Sequence, residues 1–283
     1  MGAEADTAAL VALLRVGKRP RAVYADRVEE ANSPIAVLEA EHGLLAHQLL
    51  ESASAEIAAW RARGISVLTV LDPEYPSNLR AVHDRPPLVF VAGRLDPCDS
   101  RAVAVIGSRR PSAGGVASAG EVAVHLVQSG YTVISGLAAG IDTAAHMAAL
   151  ESGGRTIAVI GSGLDRCYPP ANAALQRRIG TECAVVSQFW PEASPSRRSF
   201  PERNATMSGL ALATVIIEAT HTSGARTQAR LALGHGRPGL LAATLLEQAW
   251  ARELAARPGT HVVRSPGEIS EIVGRLNSTT LVA

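Results

Sequence analysis

Between residues 103 and 219 the chain repeats one local pattern four times: a short apolar, β-branched run that stops at a glycine-bearing turn. The turns are GSRR at Gly107 to Arg110, SGLAAGID at Ser135 to Asp142, GSGLD at Gly161 to Asp165, and EATHTSGA at Glu218 to Ala225. Each is followed by a stretch with helical character. Continuous Val/Ile runs separated by helices predict a parallel sheet covered on both faces, because half-exposed antiparallel strands would alternate polar and apolar residues. The expected fold class is therefore α/β, a doubly wound, extended Rossmann-like parallel sheet. The strand candidates are AVAVI, YTVIS, TIAVI, AVVSQ, TVIIEA and GLLAA, in that order from Ala102.

Upstream, residues 7–62 carry apolar residues at helical spacing, for example Leu10, Leu13 and Leu14, and then Ile35, Leu38 and Leu45. We expect a small helical domain over 1–63 and a larger domain over 64–283. The larger one opens with two strand-like runs, ISVLTVL and PLVFVAG, and closes with a strand and an amphipathic helix in THVVRSPGEISEIVGRL.

A strand that ends in glycine and opens into a helix exposes backbone N–H groups and the positive end of a helix dipole. Four such turns on one sheet edge would make an anion-binding floor, at the carboxyl ends of the strands where ligands bind in such sheets. The ligand expected there bears phosphate. None of the turns matches GxGxxG or GxxxxGK[ST], so neither a nicotinamide cofactor nor ATP hydrolysis is signalled, and no cofactor is expected.

The charge distribution agrees. The chain is formally +1, yet residues 101–240 hold 13 arginines against 8 acidic residues, and Lys18 is the single lysine. Arginine suits bidentate phosphate contacts. Only 4% of residues are aromatic, which argues against a surface built mainly from base-stacking rings. Three cysteines without CxxC spacing suggest neither a disulfide framework nor a zinc site. No run approaches a membrane span, no secretory signal is visible, and a cytoplasmic location is expected.

Several side chains have two readings. Ser108 and Arg109 could hold a phosphate, or Arg109 and Arg110 could be a solvated pair. Asp142 and His146, at i and i+4, could offer two metal ligands, or Asp142 could cap a helix while His146 packs; without a third ligand no metal is expected. Glu218 could act as a base, hold a sugar hydroxyl, cap its loop or pair with an arginine. Asp165 and Tyr168 could face a ligand or hold their own turn. In SPSRRSFPERN, Phe200 could stack a base or anchor the loop, and Arg203 points to function.

Taken in order, these stretches resemble the bacterial DNA-processing protein A family (DprA, also called Smf). The matching segments are DPEYPSNLRAVHDRPPLVFVAGRL at 72–95, VAVIGSRRPSAGG at 103–115, SGLAAGIDTAAH at 135–146, TIAVIGSGLDRCYPPAN at 156–172, FPERN at 200–204 and EATHTSGARTQA at 218–229. The resemblance implies a non-enzymatic protein that binds single-stranded DNA, works as a homodimer and hands the strand to the recombinase RecA during uptake of foreign DNA. It makes Arg109 the principal phosphate contact, with Gly107, Ser108, Ser135, Gly136 and Gly140 giving close backbone approach. Gly161, Gly163, Phe200, Arg203, Asn204, Ser223, Gly224 and Arg226 complete the expected DNA-binding set.

The chain departs from the family pattern in places. Ala205 stands where an arginine is usual, Gln228 where a threonine is usual, and Arg226 is an added charge. Ala242 and Ala243 replace a common Pro-Gly, and no C-terminal winged helix is expected. The alternative function is a Rossmann-like binder or hydrolase of a nucleotide-derived small molecule, although the PGGxGTxxE signature of such hydrolases is absent.

Overall fold

A computed structural model describes residues 2–221 and 223–280. Four helices open the chain: α1 (Gly2–Val16), α2 (Arg21–Ala31), α3 (Pro34–His42) and α4 (Ala46–Arg61). Next come β1 (Ile65–Thr69), α5 (Ser77–Arg80) and β2 (Leu88–Gly93). Strands and helices then alternate: β3 (Ala102–Ile106), α6 (Ala113–Gln128), β4 (Thr132–Ser135), α7 (Ile141–Glu151), β5 (Thr156–Val159), α8 (Ala173–Glu182), β6 (Ala184–Ser187), α9 (Ser199–Leu210) and β7 (Ala213–Ile216). α10 (Gly224–Gly234), β8 (Gly239–Ala242), α11 (Ala249–Ala255), β9 (Thr260–Val263) and α12 (Pro266–Thr280) complete it.

The strands form one nine-stranded sheet in the order β1-β2-β6-β5-β4-β3-β7-β8-β9. From β6 to β9 every neighbouring pair is parallel, as the continuous Val/Ile runs predict. β1 and β2 differ: β1 pairs antiparallel with β2, and β2 antiparallel with β6, with Phe90 opposite Ser187. The sheet is thus mixed rather than wholly parallel. The connection from β1 to β2 carries only the single turn α5, too short to serve as the crossover helix that a parallel pair needs.

Side chains alternate across the sheet as period-two geometry requires. Ala102, Ala104 and Ile106 of β3 enter a core with α9, α10, α11 and the N-terminal helices, whereas Val103 and Val105 enter one with α6, α7 and α12. Both faces are therefore covered. The N-terminal helices share their core with the sheet: Trp60 meets the Phe90 ring edge-on at 5.1 Å and stacks on Trp190 at 5.9 Å. Arg15 lies 3.9 Å from the Trp190 ring centre. No helix among the described residues is long and apolar enough to cross a membrane.

Chain order reverses at β3. The strands β4, β5 and β6 follow on one side and β7, β8 and β9 on the other. The turns leaving the carboxyl ends of β3 and β7 consequently diverge, and a crevice opens between them.

Candidate functional site

The turn after β3 begins with Gly107, where a Cβ would lie 2.6 Å from Ile141 Cγ1 and 2.7 Å from the Glu218 carbonyl oxygen. Only glycine fits there. Ser108 N–H donates to that same carbonyl at 2.6 Å, and Ile141 N–H donates to the Ser108 carbonyl at 3.1 Å. Gly140 closes the arrangement at φ +84°, with its missing Cβ 2.4 Å from the Ser108 carbonyl oxygen. Three turns are thus locked together through main chain, which fixes the site floor without spending side chains.

Over this floor lies a cleft of about 570 Å³, lined by Ser108, Arg109, Arg110, Asn204 and the start of α10 among others. Ser223 caps α10, its Oγ accepting from Ala225 N–H at 3.2 Å, and Ser223 and Gly224 both line the cleft. Thr222 of that turn lies outside the described residues. Arg109 and Arg110 are exposed and make no ion pair among the described residues. Two uncompensated guanidiniums beside a helix N-terminus attract an anion.

A second, smaller cleft of about 130 Å³ adjoins the first, and Arg109, Phe200 and Arg203 line both. The Arg109 guanidinium carbon stands 5.2 Å from the Phe200 ring centre, and Tyr168 lies 5.6 Å from Phe200 on the other cleft wall. Gly161 makes room for the ring, since its Cβ would lie 2.9 Å from Phe200 Cδ1. Phe200 is half-buried and Tyr168 is 45% exposed. The two readings of Phe200 therefore merge: the ring is seated against Gly161 yet still forms cleft surface.

Arg203 is not a mobile cation. It is 5% exposed, and its Nη1 donates to the carbonyls of Gly136 at 2.5 Å and Val159 at 2.7 Å while Nε donates to Asn204 Oδ1 at 3.0 Å. A Cβ on Gly136 would overlap the guanidinium. Arg203 thus staples the ends of β4 and β5 beneath the clefts. Burial lowers its pKa to about 10, with the Asp142 carboxylate opposing that shift.

Asp142 and His146 lie under the same floor. Asp142 does not cap α7, whose N-cap is Gly140; its Oδ2 instead accepts from Gly136 N–H at 3.1 Å and Ala138 N–H at 3.3 Å in the preceding loop, and burial raises its pKa. His146 is fully buried with Nδ1 2.6 Å from Thr156 Oγ1. Burial, and then the Arg203 charge, pushes its pKa down to about 3. Among the described residues Glu218 holds neither its own loop nor an arginine: both carboxylate oxygens accept from Ser112 N–H at 3.1 Å, at the start of α6. Asp165 pairs with Arg63 at 2.5 Å.

The remaining sequence candidates are placed as follows. Ser135 is fully buried, its Oγ donating to Val105 O at 2.6 Å, and lines neither cleft. Gly163 packs against the carbonyls of Trp190 and Pro191, also away from both. Arg226 lines a neighbouring cleft with Arg230 and Arg257, 5.5 Å from the Trp250 ring centre, and donates to His221 O at 2.7 Å. It does not share a wall with Arg109.

Arg110 and Gln228 line the main cleft without having been expected among the binding residues. Arg110 was legible as the neighbour of Arg109. Gln228 is 1% exposed and neither Oε1 nor Nε2 has a partner among the described residues. Each unsatisfied atom costs about 1–3 kcal/mol.

This arrangement has parallels in known proteins. The DNA processing protein DprA of Streptococcus pneumoniae is 43% identical over 169 residues, covering 60% of this chain and 60% of the relative. Protein Smf of Synechocystis is 41% identical over 169 residues, covering 58% of this chain and 42% of the relative. The matches thus span about two fifths to three fifths of those relatives' lengths. Among solved structures, DprA from Streptococcus pneumoniae superposes with a TM-score of 0.71 at 29% identity, covering 94% of this chain and 95% of that one. DNA processing protein A from Helicobacter pylori, described for its single-stranded DNA binding mode, gives a TM-score of 0.65 at 25% identity, covering 75% and 96%. The family model described as DNA recombination-mediator protein A matches residues 66–265, the greater part of the chain, and the chain belongs to that family.

Proposed function

We propose that the protein binds single-stranded DNA and acts as a recombination mediator, without cleaving or otherwise transforming the strand. The observation that carries this reading is the meeting of exposed, unpaired Arg109 and Arg110 with the N-terminus of α10 and the Phe200 ring on one cleft. Guanidiniums and backbone N–H groups suit successive phosphates, and a ring beside them offers one stacking face. The single-stranded DNA binding named for the Helicobacter pylori relative supports the choice of ligand.

The fuller form of the reading follows the family: an extended Rossmann-like, doubly wound domain, acting as a cytoplasmic homodimer, protects incoming strands and loads RecA during natural transformation. Beneath the cleft, the buried Asp142 carboxylate is held by the N–H groups of Gly136 and Ala138 and His146 Nδ1 is held by Thr156, which supports positioning rather than turnover.

The test is fluorescence anisotropy with a labelled single strand, the matching duplex and free mononucleotides, each at two salt concentrations. We expect the single strand to bind best, affinity to rise with strand length, and salt to weaken it steeply. Mononucleotides binding as tightly as a long strand would replace this reading with a small-molecule one.

A further inference from the structure

Away from the cleft, three side chains from distant parts of the sequence converge at the other end of α10. His83 and Asp84 lie between α5 and β2, and His235 caps the C-terminus of α10. Their ligand atoms all lie within 4.8 Å of one another. We propose that His83, Asp84 and His235 form a site for a borderline divalent cation, Zn²⁺ foremost, with water in the fourth position.

Four observations support this. Two imidazoles and one carboxylate are the donor types that Zn²⁺ prefers, and three protein ligands plus water is a common coordination. His235 is oriented from behind, its Nδ1 3.0 Å from Ser208 Oγ of α9 while Nε2 faces Asp84 Oδ1 at 2.7 Å. Ligating histidines are ordinarily held in this way through the second ring nitrogen. Among the described residues Asp84 has no lysine or arginine partner, and its carboxylate pairs only with His235, at 2.7 Å. Finally, the site is anchored on one side and open on the other, since the His235 side chain is 1% exposed, Asp84 35%, and His83 is exposed.

The ion takes the place of the hydrogen between His235 Nε2 and Asp84 Oδ1; a neutral imidazole keeps its one proton on Nδ1, facing Ser208 Oγ, and an imidazolium releases its second proton to solvent. Zn–N and Zn–O bonds of about 2.0–2.1 Å put tetrahedral ligand atoms roughly 3.3 Å apart. The Nε2 to Oδ1 gap must open slightly, and His83, on an exposed turn, must close in. The ion would then tie the β1–β2 connection to α10 and, through Ser208, to α9.

The experiment uses the full chain after exhaustive chelation, titrated calorimetrically with Zn²⁺ and separately with Mg²⁺, with thermal melts alongside. We expect one saturable equivalent of Zn²⁺, a Zn²⁺-dependent rise in Tm, and no response to Mg²⁺, which prefers all-oxygen sites. Co²⁺ should give the visible absorption of a tetrahedral complex. His83→Ala and Asp84→Asn should each weaken Zn²⁺ binding at least tenfold, and Ser208→Ala about 10- to 100-fold. His83 is the safeguard against misfolding, because it is exposed and, among the described residues, its ring meets only the edge of His235. Absence of saturable Zn²⁺ binding would overturn the assignment, as would Zn²⁺ binding that either His83→Ala or Asp84→Asn leaves intact, or an equal response to Mg²⁺.

Discussion

Replacing Arg109 with alanine is the most direct trial of the cleft. The guanidinium is exposed, has no acidic partner, and stands over Phe200 at 5.2 Å. Its loss therefore removes little stability, about 0.5–1 kcal/mol for an exposed cation–π contact. If it holds a strand phosphate, the charge-assisted hydrogen bond lost is worth about 1.5–3 kcal/mol. That corresponds to roughly a ten- to hundredfold rise in Kd. One phosphate fewer is neutralised, so the slope of log K against log salt should shallow by about 0.7. Anisotropy titrations at four or more salt concentrations, with melts to confirm folding, measure both quantities. Arg109→Lys keeps the charge but not the planar fork, and should fall between. A folded Arg109→Ala protein with unchanged affinity and slope would refute the reasoning, because no other role for this side chain is visible.

Other substitutions probe neighbouring claims. Phe200→Leu should cost about 1–3 kcal/mol of strand affinity if a base stacks on the ring; the same loss measured on a strand abasic at every position would exclude stacking. Arg226→Ala should weaken strand binding less than Arg109→Ala, since Arg226 lines a separate cleft with Arg230 and Arg257; an equal loss would place both on one track. Gln228→Leu should raise Tm, because it removes two buried polar atoms that lack partners; a lower Tm would mean that the amide is bonded in solution. His146 gives a pH signature. Its folded pKa of about 3 lies below its ordinary 6.5, so its contribution to stability is present above 6.5 and is lost as pH falls toward 3. The slope reaches at most about 1.4 kcal/mol per pH unit. Asp142, with a raised pKa, acts in the opposite sense, and the difference between wild type and His146→Asn isolates the histidine. Superimposable stability-versus-pH curves would contradict its buried, neutral state.

Sequence and structure diverge where tertiary placement overrides local pattern. The strand-turn-helix units are legible because β3, β4, β5 and β7 are buried on both faces, and the first three lead into glycines with no room for a Cβ, Gly107, Gly136 and Gly161. The direction of β2 is not legible: Leu88 to Val91 are all buried, like the parallel strands, and the Trp60, Phe90 and Trp190 cluster that seats β2 beside β6 joins residues far apart in sequence. Arg203 reads as a basic loop residue next to Arg197 and Arg198, yet it is buried while they are exposed. A signal was available. Phe200, Arg203, Asn204 and Met207 fall at i, i+3, i+4 and i+7, the spacing of an inward stripe. The same spacing in Ala225, Gln228, Ala229 and Ala232 places Gln228 on the core side of α10. Ser135 and Gly163 belong to the set that the family resemblance implies, but hydrogen bonding and packing turn them away from the cleft.

The burial of Arg203 has a consequence for how the cleft responds to its medium. With a pKa near 10 the guanidinium stays charged at neutral pH, yet it is nearly closed to solvent. A strand carries condensed cations that leave as exposed arginines pair with its phosphates, and that release is what salt opposes. Arg203, nearly closed to solvent, acts from beneath the floor rather than on a phosphate and is screened far less. A plot of log K against log salt would therefore count the surface guanidiniums in its slope, while the attraction of Arg203 would persist in the affinity extrapolated to concentrated salt. Its charge is a constant background field, set when the chain folds and beyond the reach of the buffer.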